Sequence, residues 1–218
     1  MKKLACLLLF VLAVVACEQD VYDKGDNVYS YMRADFVEAV VGSDKQVSYV
    51  LTDDDERLPL TAAYSAKWIE RPDTVYRAVL YYNYKDQQAE PLSLARVTTT
   101  SVRPLHQYAK GVKTDPLGLE AMWLSSNKRY LNLSIIIKTG AVDKDAEVQT
   151  LGVVGDTIMV DDNNLRTYQL RLYHSQGDVP QYYSQRVYFS IPVSGLEADS
   201  LQLSVNTYDG VVTKGFRL

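Results

Sequence analysis

From Val28 to its C-terminus this chain carries no sustained helical stripe of apolar residues. Instead, short runs rich in β-branched and aromatic residues recur, each bounded by Gly, Asp, Asn or Pro. Tyr29 to Val40 alternates apolar and polar for much of its length, and Val47 to Leu51 follows the turn residues Gly42-Ser43-Asp44. Asp53-Asp54-Asp55-Glu56 marks a turn before Leu58-Pro59-Leu60. Thr74 to Tyr82 and Leu92 to Val102 complete a first series. Side chains alternate faces along a strand, so this pattern predicts an all-β fold. Five strands in so short a span predict an OB-like β-barrel over residues 28–103. Residues 104–118, with their prolines and glycines, read as an inter-domain connection. A second series (Ala121 to Ser125, Tyr130 to Ile137, Gln149 to Val154, Leu165 to Tyr173, Arg186 to Val193, Leu201 to Thr207, Val211 to Phe216) predicts a C-terminal β-sandwich over 119–218.

The first residues are of another kind. Met1-Lys2-Lys3 precedes an uncharged run from Leu4 to Ala16, the pattern of a secretory signal too short to span a bilayer stably. The run ends Val14-Val15-Ala16-Cys17, which resembles a lipobox. Residues 1–16 are therefore expected to be a lipoprotein signal peptide, with Cys17 as the site of lipid attachment. Two or three acyl chains anchor better than one, because each buried methylene adds about 0.8 kcal/mol. Residues 17–27 then form the lipidated cysteine and a polar, acidic tether.

This reading removes whole classes of chemistry. Cys6 leaves with the signal and Cys17 becomes a thioether, so no thiol is left for a disulfide, a metal or a nucleophile. Without Lys2 and Lys3, 27 acidic face 21 basic side chains. Such a balance offers no general attraction for nucleic acid, and none is expected as a partner. No Gly-x-Ser-x-Gly elbow occurs, and the two histidines are His106 and His174. A zinc site needs three or four converging ligands, so no metal and no cofactor is expected. His174 and Asp178 flank a turn and could pair structurally, with Asp178 accepting from the ring. The acidic turns Asp53–Glu56 and Asp161–Asn164 lack the alternating spacing of an EF-hand loop.

Several of these segments, in this order, resemble the NigD-like lipoproteins of Bacteroidota. In the first half they are Tyr49-Val50-Leu51-Thr52-Asp53 with Arg57-Leu58, then Val75-Tyr76-Arg77-Ala78. In the second they are Met122-Trp123-Leu124 before Tyr130-Leu131-Asn132-Leu133, then Leu170 to His174 ahead of Asp178, then Tyr188-Phe189-Ser190. Asp115-Pro116 sits where that family joins its halves. The resemblance implies an N-terminal OB domain, a C-terminal β-sandwich and an outer-membrane location, with the face of the membrane undecided. It supplies no biochemical activity. Where the family carries a further histidine, this chain has Gln149, which weakens any shared metal or acid–base role.

Tyrosine is the notable excess, with 17 residues. Tyr81, Tyr82 and Tyr84 are the expected ligand face, because a tyrosine ring stacks on a sugar while its hydroxyl donates a hydrogen bond. Asp73-Thr74-Val75, Asp156-Thr157-Ile158 and Asp199-Ser200-Leu201 resemble the Asp-Ser/Thr-aliphatic O-glycosylation motif of exported Bacteroidota proteins, which makes Thr74, Thr157 and Ser200 candidate acceptors. The expectation is a non-catalytic, lipid-anchored envelope protein, not an enzyme. It would bind a glycan or an envelope protein through the OB face or the groove between domains. One alternative is a structural or assembly lipoprotein with only protein partners. Another is a hydrolase of envelope or dietary polymers, which would need two close carboxylates in a cleft or acidic ligands on His174.

Overall fold

A computed structural model describes residues 32–109, 111–143 and 145–218. The signal segment, Cys17 and the tether lie outside these residues, as does the start of the first expected strand. Strands β1 (Met32–Val41), β2 (Val47–Thr52), β3 (Arg57–Tyr64), β4 (Thr74–Lys85) and β5 (Gln88–Arg96) close into a barrel in the order β1-β2-β3-β5-β4. That order, with β3 parallel to β5, is the OB arrangement. Its core is built from the inward half of each alternation: Val37 and Ala39, Val50, Leu58, Ala78 and Leu80.

Nine further strands form two sheets. They are β6 (Thr98–Thr99), β7 (Val102–Pro104), β8 (Gly118–Leu124), β9 (Tyr130–Thr139), β10 (Thr150–Val160), β11 (Arg166–Ser175), β12 (Tyr183–Pro192), β13 (Ser200–Thr207) and β14 (Gly210–Arg217). One sheet runs β14-β13-β11-β10-β7 and the other β6-β12-β9-β8. Leu131, Leu133 and Ile135 of β9, with Phe189 and Ile191 of β12, meet Leu170, Leu172, Leu201 and Leu203 from the opposite sheet. The chain is thus an OB-like barrel followed by a β-sandwich. Among the described residues no helix is long and apolar enough to cross a membrane.

The domain border differs from the sequence expectation. The last barrel strand ends at Arg96. Thr98–Thr99 pairs in parallel with Phe189–Ser190, and Val102–Pro104 pairs in parallel with Val153–Gly155. The sandwich therefore takes up its first strands before residue 103. The expected connection over 104–118 is also tied to it, through bridges from Thr114 to His174 and from Leu117 to Thr207. Strands of two and three residues that pair with chain some fifty or ninety positions away leave no local pattern to read.

The four-stranded sheet is covered on both sides. Tyr130, Asn132 and Ser134 of β9 point away from the hydrophobic core, yet Asn132 and Ser134 are buried. Barrel strand β4 shows the matching feature: Arg77, Ala78, Val79 and Leu80 are buried in succession. Ala78 and Leu80 face the barrel interior, while Arg77 and Val79 face outward and are still closed off from water. Strand β4 and the outer face of the β12-β9-β8 sheet form the junction of the two halves, where Arg77 of the barrel meets Asn132 and Ser190.

Gly155 sits at a β-bulge where β7, β10 and β11 meet. A Cβ there would overlap the Tyr168 hydroxyl and come within 2.9 Å of Val102 Cγ1. Gly155→Ala is expected to cost about 1–3 kcal/mol through overpacking, measured by urea unfolding against Gly215→Ala. A Cβ at Gly215 meets nothing nearer than 3.8 Å.

Candidate functional site

The most chemically dense part of the molecule is this junction. Arg77 holds Asp53 of the β2–β3 turn with two 2.7 Å bonds, Nη1 to Oδ1 and Nη2 to Oδ2. Its Nη2 also donates to Asn132 Oδ1 at 3.2 Å and its Nε to Ser190 Oγ at 3.4 Å. Asn132 Nδ2 donates back to Asp53 Oδ2 at 3.3 Å, and Ser190 Oγ donates to Asn132 Oδ1 at 2.6 Å. The guanidinium lies 4.1 Å from the Tyr130 ring centroid and 5.3 Å from that of Phe36. The Arg77 side chain is 1% exposed and that of Asp53 18%. A planar guanidinium alone matches two carboxylate oxygens while presenting its face to rings.

Aromatic packing continues the network. Phe36 of β1 stands edge to face against Trp123 of β8 and Tyr188 of β12, with centroids 5.2 and 5.3 Å away. At the rim, Tyr130 donates its hydroxyl to Glu38 at 2.7 Å, and Arg129 bridges Glu38 and Asp55. The β8–β9 turn is further fastened by Asn127, whose backbone N–H donates to the Asp53 carbonyl at 2.8 Å.

Beside this network opens a cleft of about 690 Å³. Its walls include Arg33, Asp35, Phe36, Asp54, Glu56 and Trp123. Tyr82 reaches it from the barrel core and donates its hydroxyl to Asp35 Oδ2 at 2.6 Å. Burial, together with the Asp35 carboxylate, pushes the Tyr82 phenol well above its ordinary range. Burial and Glu38 likewise push Tyr130 up to about 12.

The three tyrosines expected to share a ligand face do not share one. Tyr82 and Tyr84 lie on one side of β4 with centroids 6.5 Å apart, whereas Tyr81 is on the other side, with Arg77 and Val79. Tyr82 is 3% exposed and belongs to the barrel core, and Arg33 covers Tyr84 at 4.5 Å. Strand alternation separates neighbours 81 and 82, and a bulge in β5 opposite them leaves β4 regular.

The expected His174–Asp178 pair does not form either. His174 is 1% exposed; its Nδ1 donates to the Asp115 carbonyl at 2.8 Å and its Nε2 accepts from Gln149 Nε2 at 2.9 Å. Gln149 also donates to Gln176 Oε1 at 3.1 Å. Asp178 lies beyond the turn at Gly177 (φ +58°), where its carboxylate accepts from the Glu147 N–H at 2.8 Å. The histidine is an inward residue of β11 and the aspartate an exposed loop residue, so the turn carries them apart. A backbone carbonyl and an amide surround the ring, not acidic ligands. His106 is exposed on a 3-10 turn, Leu105–Gln107.

The remaining candidates have local roles. Asp161 Oδ1 accepts from the backbone of Asn163 and Leu165, which closes the β10–β11 turn. Thr157 is exposed on β10, and its neighbour Asp156 forms an ion pair with Arg171. Thr74 donates to the Pro72 carbonyl, and Ser200 shares a hydrogen bond with Thr167. Among the described residues no group of three or more His, Cys, Asp or Glu is placed to hold a metal ion.

Reading the sequence alone missed Phe36, Asn132 and Ser190 as a site. The available signal was small polar residues at alternate positions of otherwise apolar strands, in Leu-Asn-Leu and Phe-Ser-Ile.

Two variants probe the network. Arg77→Ala leaves a carboxylate facing the junction unpaired and is expected to cost about 3–5 kcal/mol in denaturant unfolding; Arg77→Lys restores the charge but not the paired bonds and should recover only part. The raised phenols predict loss of stability at high pH. Their contribution is complete below pH 10, the ordinary tyrosine value, and disappears as pH rises through about 12 for Tyr130. Tyr130→Phe should flatten the decline between pH 10 and 12 in a stability–pH profile.

No protein-family model and no curated protein sequence matches the chain. Solved structures do. A NigD-like immunity protein from Bacteroides caccae superposes with a TM-score of 0.62 at 22% identity, over 84% of this chain and 91% of that one. A protein described as toxin-related from Parabacteroides distasonis gives 0.62 at 18% identity, over 86% and 93%. One described as a lipoprotein from Bacteroides fragilis gives 0.58 at 13% identity, over 85% and 96%. The matched share of this chain exceeds either half alone, and the resemblance read from the order of strand segments is a resemblance of fold: this chain shares its fold with these structures, a NigD-like protein among them.

Proposed function

We propose that this chain is a non-catalytic, lipid-anchored protein of the outer membrane that acts as a binding module, with the junction cleft as its contact surface. The observation that carries this reading is the cleft itself. Charged and aromatic walls of the barrel meet Trp123 of the sandwich there, beside a buried ion pair, and ligand sites favour such inter-domain clefts. The lipobox-like run before Cys17 supports the anchor. Among structures of the same fold are one named an immunity protein and one described as a lipoprotein, neither named as an enzyme.

Hydrolysis of a glycosidic bond needs two carboxylates on opposite sides of the scissile bond. Asp53 spends both oxygens on Arg77, Asp35 accepts from the Tyr82 hydroxyl, and Asp54 and Glu56 stand on one turn. A second reading, assembly with protein partners alone, is favoured by β14. This strand ends its sheet, is eight residues long, and exposes Val211 at 68% and Val212 at 41%. Such an edge can accept a partner strand.

In the native host, Cys17→Ser is expected to abolish incorporation of labelled palmitate and to move the protein out of the outer-membrane fraction. Retained label or unchanged partition would refute the anchor. A photo-crosslinking residue in place of Asp54, irradiated in intact cells, should give a discrete adduct that Trp123→Ala removes. Absence of an adduct would refute the cleft as the contact surface.

A further inference from the structure

We infer that the junction cleft binds a saccharide segment that is neutral or amine-bearing, and that it rejects acidic saccharides. This rests on the cleft being the contact surface and assigns that surface a ligand class.

Three features of the walls lead there. The first is apolar. Trp123 lines the cleft half-buried, with Phe36 set edge to face against it at 87°, so the indole is held by packing before any ligand arrives. A fixed ring offers area to the C–H face of a pyranose at small entropic cost. The second is the mixture of hydrogen-bonding groups. Asp35, Asp54 and Glu56 accept, and the Arg33 guanidinium donates. A sugar hydroxyl does both, and adjacent hydroxyls can serve a carboxylate and a guanidinium together. The third is charge. Asp53 is balanced by Arg77. Among the lining residues, Asp35, Asp54 and Glu56 then face Arg33 alone, an excess of negative charge that repels uronate, sulfate and phosphate groups.

A lysine- or arginine-rich peptide would also be drawn by that charge. Such a peptide brings no hydroxyls for Arg33 and no flat C–H face for Trp123, both of which a saccharide supplies. The volume of about 690 Å³ lies within the range of about 300–1,000 Å³ usual for ligand clefts. The site lies at the β2–β3 turn and the start of β1.

The test is calorimetric titration of the full-length lipidated chain in detergent with four probes: cellohexaose, a chitosan hexamer, hexagalacturonate and hexalysine. Cellohexaose or the chitosan hexamer should saturate a single site, and hexagalacturonate should not bind. Trp123→Ala should weaken the sugar by about tenfold or more. Asp54→Asn combined with Glu56→Gln, on an exposed turn where folding is not at stake, should weaken the chitosan hexamer more than cellohexaose. Tyr182→Ala, at an exposed aromatic outside the cleft, should change nothing. The inference is overturned if neither hexasaccharide binds, if hexagalacturonate binds equally well, or if both sets of cleft variants bind sugar as before. Binding of hexalysine alone, lost in Trp123→Ala, would overturn the saccharide class while leaving the cleft as contact surface. Failure of the crosslinking experiment would instead remove the cleft reading itself.

Discussion

The two halves of this molecule are joined through a charge that water cannot reach. Arg77 leaves the outer side of a barrel strand and enters the space above the sandwich, where Asp53 takes both ends of its guanidinium. Removing two charges from water costs several kcal/mol per ion, and their attraction repays it only when geometry and further hydrogen bonds are good. Here Asn132 and Ser190 supply those bonds, and the rings of Tyr130 and Phe36 flank the guanidinium. An apolar junction of the same size could be equally stable. It would be less selective about angle and register, because hydrophobic contact has no direction. The bonds of the polar junction have direction, and the cleft beside it is built against them.

This constraint also explains the composition of the four-stranded sheet. A sheet with one wet face should alternate apolar and polar residues, and β9 does so through Leu131, Asn132, Leu133, Ser134 and Ile135. The alternation is true, but the inference that its polar side is wet is not. Asn132 and Ser190 are fully buried, and they are polar because they must satisfy Arg77 and each other.

Much of the architecture was legible for the same reason that part of the site was not. Strands such as β2, β9 and β13 carry their period in consecutive residues, so their existence and burial follow from local sequence. In β13, Leu201, Leu203 and Val205 are buried and the residues between them are not. The order of such segments was enough to suggest the NigD-like fold. Thr98–Thr99 and Val102–Pro104 could not be assigned to the sandwich, because their strand character comes from partners far along the chain. The tyrosines misled through proximity in sequence: Tyr81 and Tyr82 are adjacent and so must face opposite ways. His174 and Asp178 misled similarly, since a turn that begins inside a sheet and ends outside it separates its two ends chemically.

The residues on which the sequence resemblance was built include Asp53, Arg77, Trp123, Tyr130, Asn132, Tyr188 and Ser190. They come from both halves, and no local pattern requires them. In the folded chain they meet as ion pair, amide bridge, hydroxyl bridge and aromatic wall. Their polarity and aromaticity answer to the junction, because β-propensity could be met at each position by other side chains. Together they fix the barrel on the outer face of the sandwich. Any ligand held between Trp123 and the β2–β3 turn touches both halves at once, so its affinity depends on that fixation. A change at Arg77, which lines no part of the cleft, would therefore reach the ligand through the position of the walls.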